Sequence, residues 1–120
     1  MDYTYDQAGF VTSTTYPGGT VIGRTNTAGG QIATLVRGAA TLVDYAYVGS
    51  RAARREYPVP AMATVYSYDN LGRVTGIDAG AGVVQFGYSY VEDENNIYRK
   101  TFDHRSGDPY NEYSYDDLDR

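Results

Sequence analysis

Residues of alternating character mark the start, the middle and the end of the chain. Tyr3-Thr4-Tyr5, Tyr66-Ser67-Tyr68 and Tyr113-Ser114-Tyr115 each place two aromatic rings two residues apart. In an extended strand, positions two apart share a face, so these triplets predict strands with an aromatic side. Asp6-Gln7-Ala8-Gly9 and Asp69-Asn70-Leu71-Gly72 follow two of them directly. Asp at the first position of a turn accepts backbone hydrogen bonds, and Gly at the last supplies a positive φ, so both read as type I turns. Alternation then resumes at Phe10-Val11 and Arg73-Val74. The unit is strand, tight turn, strand.

The same unit recurs. Anchors in the Asp position fall at Asp6, Thr27, Val48, Asp69, Val91 and Asp116, at intervals of 21, 21, 21, 22 and 25 residues. Tyr45-Ala46-Tyr47 and Tyr88-Ser89-Tyr90 keep the tyrosine pair, while Asn26-Thr27-Ala28-Gly29-Gly30 keeps only the turn. A spacing of about 21 residues accommodates two strands of ordinary length and two turns. Second reversals are predicted at Tyr16-Pro17-Gly18-Gly19, Ala79-Gly80-Ala81-Gly82 and Ser106-Gly107-Asp108-Pro109. The expected architecture is all-β: antiparallel hairpin repeats spanning 1–120 as a single repeat segment.

Two stretches also read as helix. The run Ile32–Val43 has loose helical spacing, interrupted by Gly38, where the repeat register calls for two strands. Arg51-Ala52-Ala53-Arg54-Arg55-Glu56 reads as a short helical turn that Pro58 and Pro60 stop.

Composition changes what such a sheet can bury. Val, Ile, Leu and Phe occupy 22 of 120 positions, whereas Tyr alone occupies 14. Buried area must come largely from tyrosine, each ring of which removes roughly 150–250 Å² from water and needs a partner for its hydroxyl. The expected core is therefore semi-polar and laminar. The chain has no Cys, which excludes disulfide scaffolds, thiolate metal sites and cysteine nucleophiles. Its one His excludes a His-pair metal site. No apolar run approaches the roughly 20 residues of a membrane-spanning helix. The opening residues Met1–Asp6 lack the basic and apolar regions of a signal peptide. A net charge of -5 opposes binding to nucleic acid or anionic membranes.

Tyr-x-Tyr-Asp-x-x-Gly-Arg at 66–73 resembles the YD repeat of the RHS (rearrangement hot spot) family. The copies at 3–10 and 113–120 are similar, with Phe10 in the Arg place and Asp119 in the Gly place. The motif residues are Tyr3, Tyr5, Asp6, Gly9, Tyr66, Tyr68, Asp69, Gly72, Arg73, Tyr113, Tyr115 and Asp116. The family includes bacterial polymorphic toxins, B and C components of insecticidal toxin complexes, wall-associated bacterial proteins and teneurins. The resemblance implies a long β-sheet spiralling into a hollow shell, in a secreted or cell-surface protein. The chain holds about five units and lacks the C-terminal core motif and self-cleaving aspartyl site of the toxin shells. It is thus expected to be a segment of shell wall, without a toxin payload.

Side-chain chemistry points the same way. Glu92-Asp93-Glu94-Asn95-Asn96 and the group Asp116, Asp117 and Asp119 offer oxygen ligands, yet neither follows the spacing of a calcium loop, and both read as solvated turns. His104 sits beside Asp103 and near Ser106, but a triad needs partners converging from separate elements, so His104 reads as a loop residue. Arg51, Arg54 and Arg55 form the one basic cluster, suited to stacking on tyrosine or, in the rival reading, to contacting a cell-surface glycan beside exposed Tyr rings. The leading expectation is a non-enzymatic structural segment with no cofactor or metal. Its partners would be flanking repeats, or further copies joined through open sheet edges.

Overall fold

The computed structural model describes residues 1–80, 83–92, 94–107 and 109–116. The protein is all-β and antiparallel, and no helix occurs among the described residues. Among the described residues no helix is long and apolar enough to cross a membrane. The chain forms two compact units, Met1–Met62 and Ala63–Arg120. The first carries β1 (Asp2–Tyr5), β2 (Val11–Thr15), β3 (Val21–Asn26), β4 (Ile32–Arg37), β5 (Ala40–Val48) and β6 (Arg51–Tyr57). The second carries β7 (Met62–Tyr68, from its second residue), β8 (Val74–Asp78), β9 (Gln85–Tyr90), β10 (Ile97–Thr101) and β11 (Tyr110–Glu112). Within each unit every strand pairs with the next in sequence, as a plain meander.

The turns follow from local chemistry. At Asp6, the Gly9 N–H donates to the Asp6 carbonyl (3.1 Å), and Asp6 Oδ1 accepts from the N–H groups of Ala8 (3.0 Å) and Phe10 (2.9 Å). Asp69 repeats the arrangement with Gly72 (2.9 Å), Leu71 (3.0 Å) and Arg73 (2.8 Å). At Thr27 the hydroxyl stands in for the carboxylate and accepts from the Gln31 N–H at 3.2 Å. Gly9, Gly30 and Gly72 all sit at φ near +80° (82°, 81° and 78°), the left-handed region that only glycine adopts without cost. Reversals also occur at Tyr16–Thr20, between Ala79 and Val84, and between Phe102 and Pro109. The predicted turn residues Ala81, Gly82 and Asp108 lie outside the described residues.

The two strands that the repeat register calls for over residues 32–43 form as parts of β4 and β5, where Leu35 pairs with Val43 and Thr34 with Asp44. The helical turn expected at 51–56 is corrected. Arg51–Glu56 is strand: Arg55 pairs with Tyr45 and Glu56 with Asp44. Ala and Arg favour helices in isolation, but cross-strand pairing with an aromatic neighbour overrides so weak a preference.

A repeated irregularity shapes each hairpin. Among the described residues six β-bulges put one extra residue on the second strand soon after the turn, at Thr12, Ala33, Leu42, Ala53, Thr75 and Tyr98. A bulge disrupts the ladder locally and sharpens the twist. The interior is thin. Among the described residues Val43, at 4% exposure, is the one buried hydrophobic side chain, and Thr64 the one buried polar residue.

Candidate functional site

In each unit the side-chain interactions with a recurring pattern lie toward one set of turns, those at Asp6, Thr27 and Val48 in the first unit and those at Asp69 and Val91 in the second. Consecutive hairpins pair through their backbones only part of the way toward these turns. The ladders end at Ser13 with Gly23, Thr34 with Asp44, Gly76 with Gly87, and Arg99 with Glu112. Beyond each end, a side chain three residues on bridges to the carbonyl two residues back on the partner. Asn26 Nδ2 donates to the Val11 carbonyl (2.9 Å), Tyr47 Oη to Ile32 (2.7 Å), Tyr90 Oη to Val74 (2.6 Å) and Tyr115 Oη to Ile97 (2.8 Å). Each acceptor opens its strand immediately before the bulge. The second tyrosine of Tyr-x-Tyr is thus a latch that closes the gap between one hairpin and the next.

A second tie uses the residue just after the turn glycine. The Phe10 ring lies over Gly30, where an added Cβ would meet Phe10 Cε1 at 2.5 Å. Gln31 Nε2 donates to the Gly49 carbonyl (3.4 Å), and Arg73 Nη1 donates to the Glu94 carbonyl. Arg73 does more than its counterparts: its Nε donates to Asp69 Oδ2 (2.7 Å) and its guanidinium lies 4.5 Å from the centre of the Tyr90 ring. One side chain therefore joins its own turn, the next hairpin's latch and the next turn.

Electrostatics agree with the geometry. Burial, reinforced by Tyr45, raises the Tyr47 hydroxyl above its ordinary value. Burial also raises Tyr90, with Asp69 adding to it. Burial pushes Asp69 upward, but the side-chain and backbone hydrogen bonds from Arg73 outweigh it and hold the carboxyl low. Both tyrosines stay protonated and able to donate, while Asp69 stays ionised and able to accept.

No protein-family model matches the chain, and a search of curated proteins finds no match either.

The basic cluster does not converge. Arg55 pairs with Tyr45 and lies 5.3 Å from the Tyr57 ring, on the aromatic face. Arg54 points to the opposite face and forms an exposed ion pair with Glu56 at 2.8 Å. Arg51 pairs with Val48 at the turn. His104 lies in the turn after β10, as a loop residue: its Nδ1 lies 3.0 Å from the Gln85 nitrogen and 2.9 Å from the Gln85 carbonyl oxygen, and its ring packs edge-on against those of Phe86 and Phe102. The side chain thus ties that turn to the start of β9, and Asp103 lines a groove with Gly87. Among the described residues no three acidic or His side chains group to hold a metal. Asp93, Asp117, Leu118, Asp119 and Arg120 lie outside those residues.

Two shallow grooves mark the second unit. One, of about 320 Å³, runs over the directly paired Gly76 and Gly87 between Val65, Ser67, Asp78 and Gln85. Asp78 is engaged within it by the Gly80 N–H (2.8 Å) and Gln85 Nε2 (3.2 Å). The other, of about 260 Å³, is apolar and lined by Val74, Ile77, Tyr88, Tyr90 and Ile97. The sequence motifs and the recurring structural ties coincide at the turns of each unit rather than at the grooves. The latching role of Asn26 and the bridging role of Gln31 were missed in the sequence. Their positions relative to the turn, three residues beyond the ladder and one beyond the glycine, were the signal.

Proposed function

We propose that the chain is an architectural β-repeat of the RHS/YD type, a length of sheet serving as shell or scaffold in a secreted or cell-surface protein and performing no chemistry of its own. The observation that carries this reading is the direction of the side-chain ties. Asn26, Tyr47, Tyr90 and Tyr115 each join one hairpin to its predecessor, in the same register every time. Such nearest-neighbour coupling is how a repeat protein accumulates stability when no single unit can bury a core. Turn starts at Asp6, Thr27 and Val48 in the first unit, and at Asp69 and Val91 in the second, support a repeat of about 21 residues. Flanking repeats are the natural partners of such a sheet.

Screening the intact chain on a glycan array tests the reading. Binding at background is expected. A dose-dependent signal lost in Arg54→Ala or Arg55→Ala would replace the architectural role with carbohydrate binding through exposed Tyr and Arg side chains.

A further inference from the structure

We infer that the groove crossing β7, β8 and β9 takes the guanidinium of an arginine side chain carried by a partner polypeptide. The inference goes beyond the architectural reading and stands independently of it. Every residue it uses lies in the second unit. Ser67 pairs with Gly76 and Gly76 with Gly87, while Val65, Asp78 and Gln85 form the next row on the same face. The paired glycines leave a strip of bare backbone as the floor, and Asp78 and Asp103 both line the groove of about 320 Å³ above it.

Only one of the two glycines is required by the fold. On Gly87 an added Cβ would lie 2.4 Å from Thr101 Oγ1, the atom that accepts the Gly87 N–H at 3.1 Å. On Gly76 it would lie 3.5 Å from Ser67 Cβ, an ordinary contact, so the surrounding packing leaves room for a side chain there. Glycine inside a strand lowers stability, and it often marks a place where another group approaches the backbone closely.

Charge selects the occupant. The second unit carries eleven acidic and five basic side chains, against four and five in the first. Its described cations are engaged elsewhere: Arg73 with Asp69, Arg99 with Glu112, Lys100 over the Phe86 ring and Arg105 over the Phe102 ring. Asp78 is held by two uncharged donors, the Gly80 N–H and Gln85 Nε2. Asp103 is exposed and, like Ser67, makes no hydrogen bond among the described residues. The lining therefore offers acceptors and negative charge around a flat floor. A guanidinium is flat, always charged and donates through five N–H groups in one plane, whereas an ammonium is a compact point charge. Small-molecule sites enclose most of their ligand in roughly 300–1,000 Å³. A shallow groove at the foot of that range covers one side-chain head, so the remaining contacts must come from the chain that carries it.

The test is an NMR titration of the intact, isotopically labelled chain at low salt with a blocked pentapeptide, four glycines around one central arginine. Saturable amide shifts centred on Ser67, Gly76, Gly87 and Asp103 are expected. Asp103→Asn should weaken binding about fivefold. Gly76→Ala, whose methyl fits the fold but stands on the groove floor, should weaken it about tenfold. Glu92→Gln removes the same charge from the same unit beyond the other end of β9, and should leave the affinity within about twofold. The lysine pentapeptide and blocked arginine alone should each bind about threefold more weakly than the arginine pentapeptide. No saturable shift up to about 10 mM overturns the inference. Equal weakening by Asp103→Asn and Glu92→Gln also overturns it, as a diffuse field without a site. Equal binding of the lysine peptide removes the guanidinium, and equal binding of blocked arginine removes the polypeptide, so either result overturns it too. The Asp103→Asn and Glu92→Gln comparison decides even if Gly76→Ala disturbs the sheet. The glycan-array result is unaffected by any of these outcomes, so the two readings fail separately.

Discussion

Tyr90 Oη donates to the Val74 carbonyl at 2.6 Å, across the gap where the β8–β9 ladder has already ended at Gly76 and Gly87. The bond recurs between Tyr47 and Ile32 at 2.7 Å with the same offsets. The bulge explains why a side chain is needed there. It carries the even-numbered strand out of register just after its first residue, so that residue's carbonyl lacks a backbone partner on the neighbouring hairpin. A phenol is long enough to reach it, and the ring covers the apolar face on the way.

Tyr90→Phe keeps that ring and removes only the donor. It should lower stability by about 1 kcal/mol, the ordinary net value of a hydrogen bond, read as a lower denaturation midpoint with an unchanged slope. Tyr47→Phe should behave alike. An unchanged midpoint in both variants would show that the rings alone, without their hydroxyls, couple the hairpins.

The same two hydroxyls set an alkaline limit. Both are raised above the ordinary value of 10.0, chiefly by burial. A folded pKa above the unfolded one means the folded state holds the proton more tightly. The stabilisation is therefore complete below pH 10 and declines as pH rises through the folded values. Wild type and the Tyr47→Phe, Tyr90→Phe double variant should converge in stability as pH climbs past 10, as measured by urea unfolding at each pH.

Asp69 gives the opposite dependence. The hydrogen bonds of Arg73 overcome burial and hold its carboxyl below 3.8. A lowered folded pKa contributes stability that is present above 3.8 and is lost as pH falls through the folded value. Asp69→Asn should thus be less stable than wild type at neutral pH, and the gap should shrink below pH 3.8. A gap that is constant across the acid range would assign Asp69's role to turn geometry rather than to charge.

Much of this framework was legible because its rules are local. Tyr-x-Tyr requires only the period of a strand, and Asp-x-x-Gly only the chemistry of one turn, so Tyr66–Gly72 announced a hairpin without its context. The latches were not legible, since their partners lie 15 to 18 residues away and depend on bulges that leave no mark in residue type. Asn26 shows the difficulty: it breaks the tyrosine pattern yet keeps the bond to Val11. Arg51–Glu56 failed for the reverse reason, as its composition favours helix and only the neighbouring Tyr45 and Asp44 decide for strand. The basic cluster looked like one site because sequence adjacency hides that Arg54 and Arg55 project to opposite faces.

Two turn glycines separate conformational strain from packing. Gly9 and Gly30 share nearly the same φ, 82° and 81°. A Cβ on Gly9 would meet nothing within 4 Å, whereas one on Gly30 would meet three atoms of the Phe10 ring, the nearest at 2.5 Å. Gly9→Ala should therefore cost about 1–2 kcal/mol, the price of a left-handed L-residue. Gly30→Ala should cost that plus about 1–3 kcal/mol for displacing the ring. In a Phe10→Ala background the ring is gone, so Gly30→Ala should fall to the cost of Gly9→Ala. Thermal or urea unfolding of the four-member cycle measures this coupling directly. Additive costs would mean that Phe10 moves aside freely, and that the first hairpin is tied to the second by the β2–β3 ladder and by the Arg24 and Asn26 bonds to the Val11 carbonyl, without help from the ring.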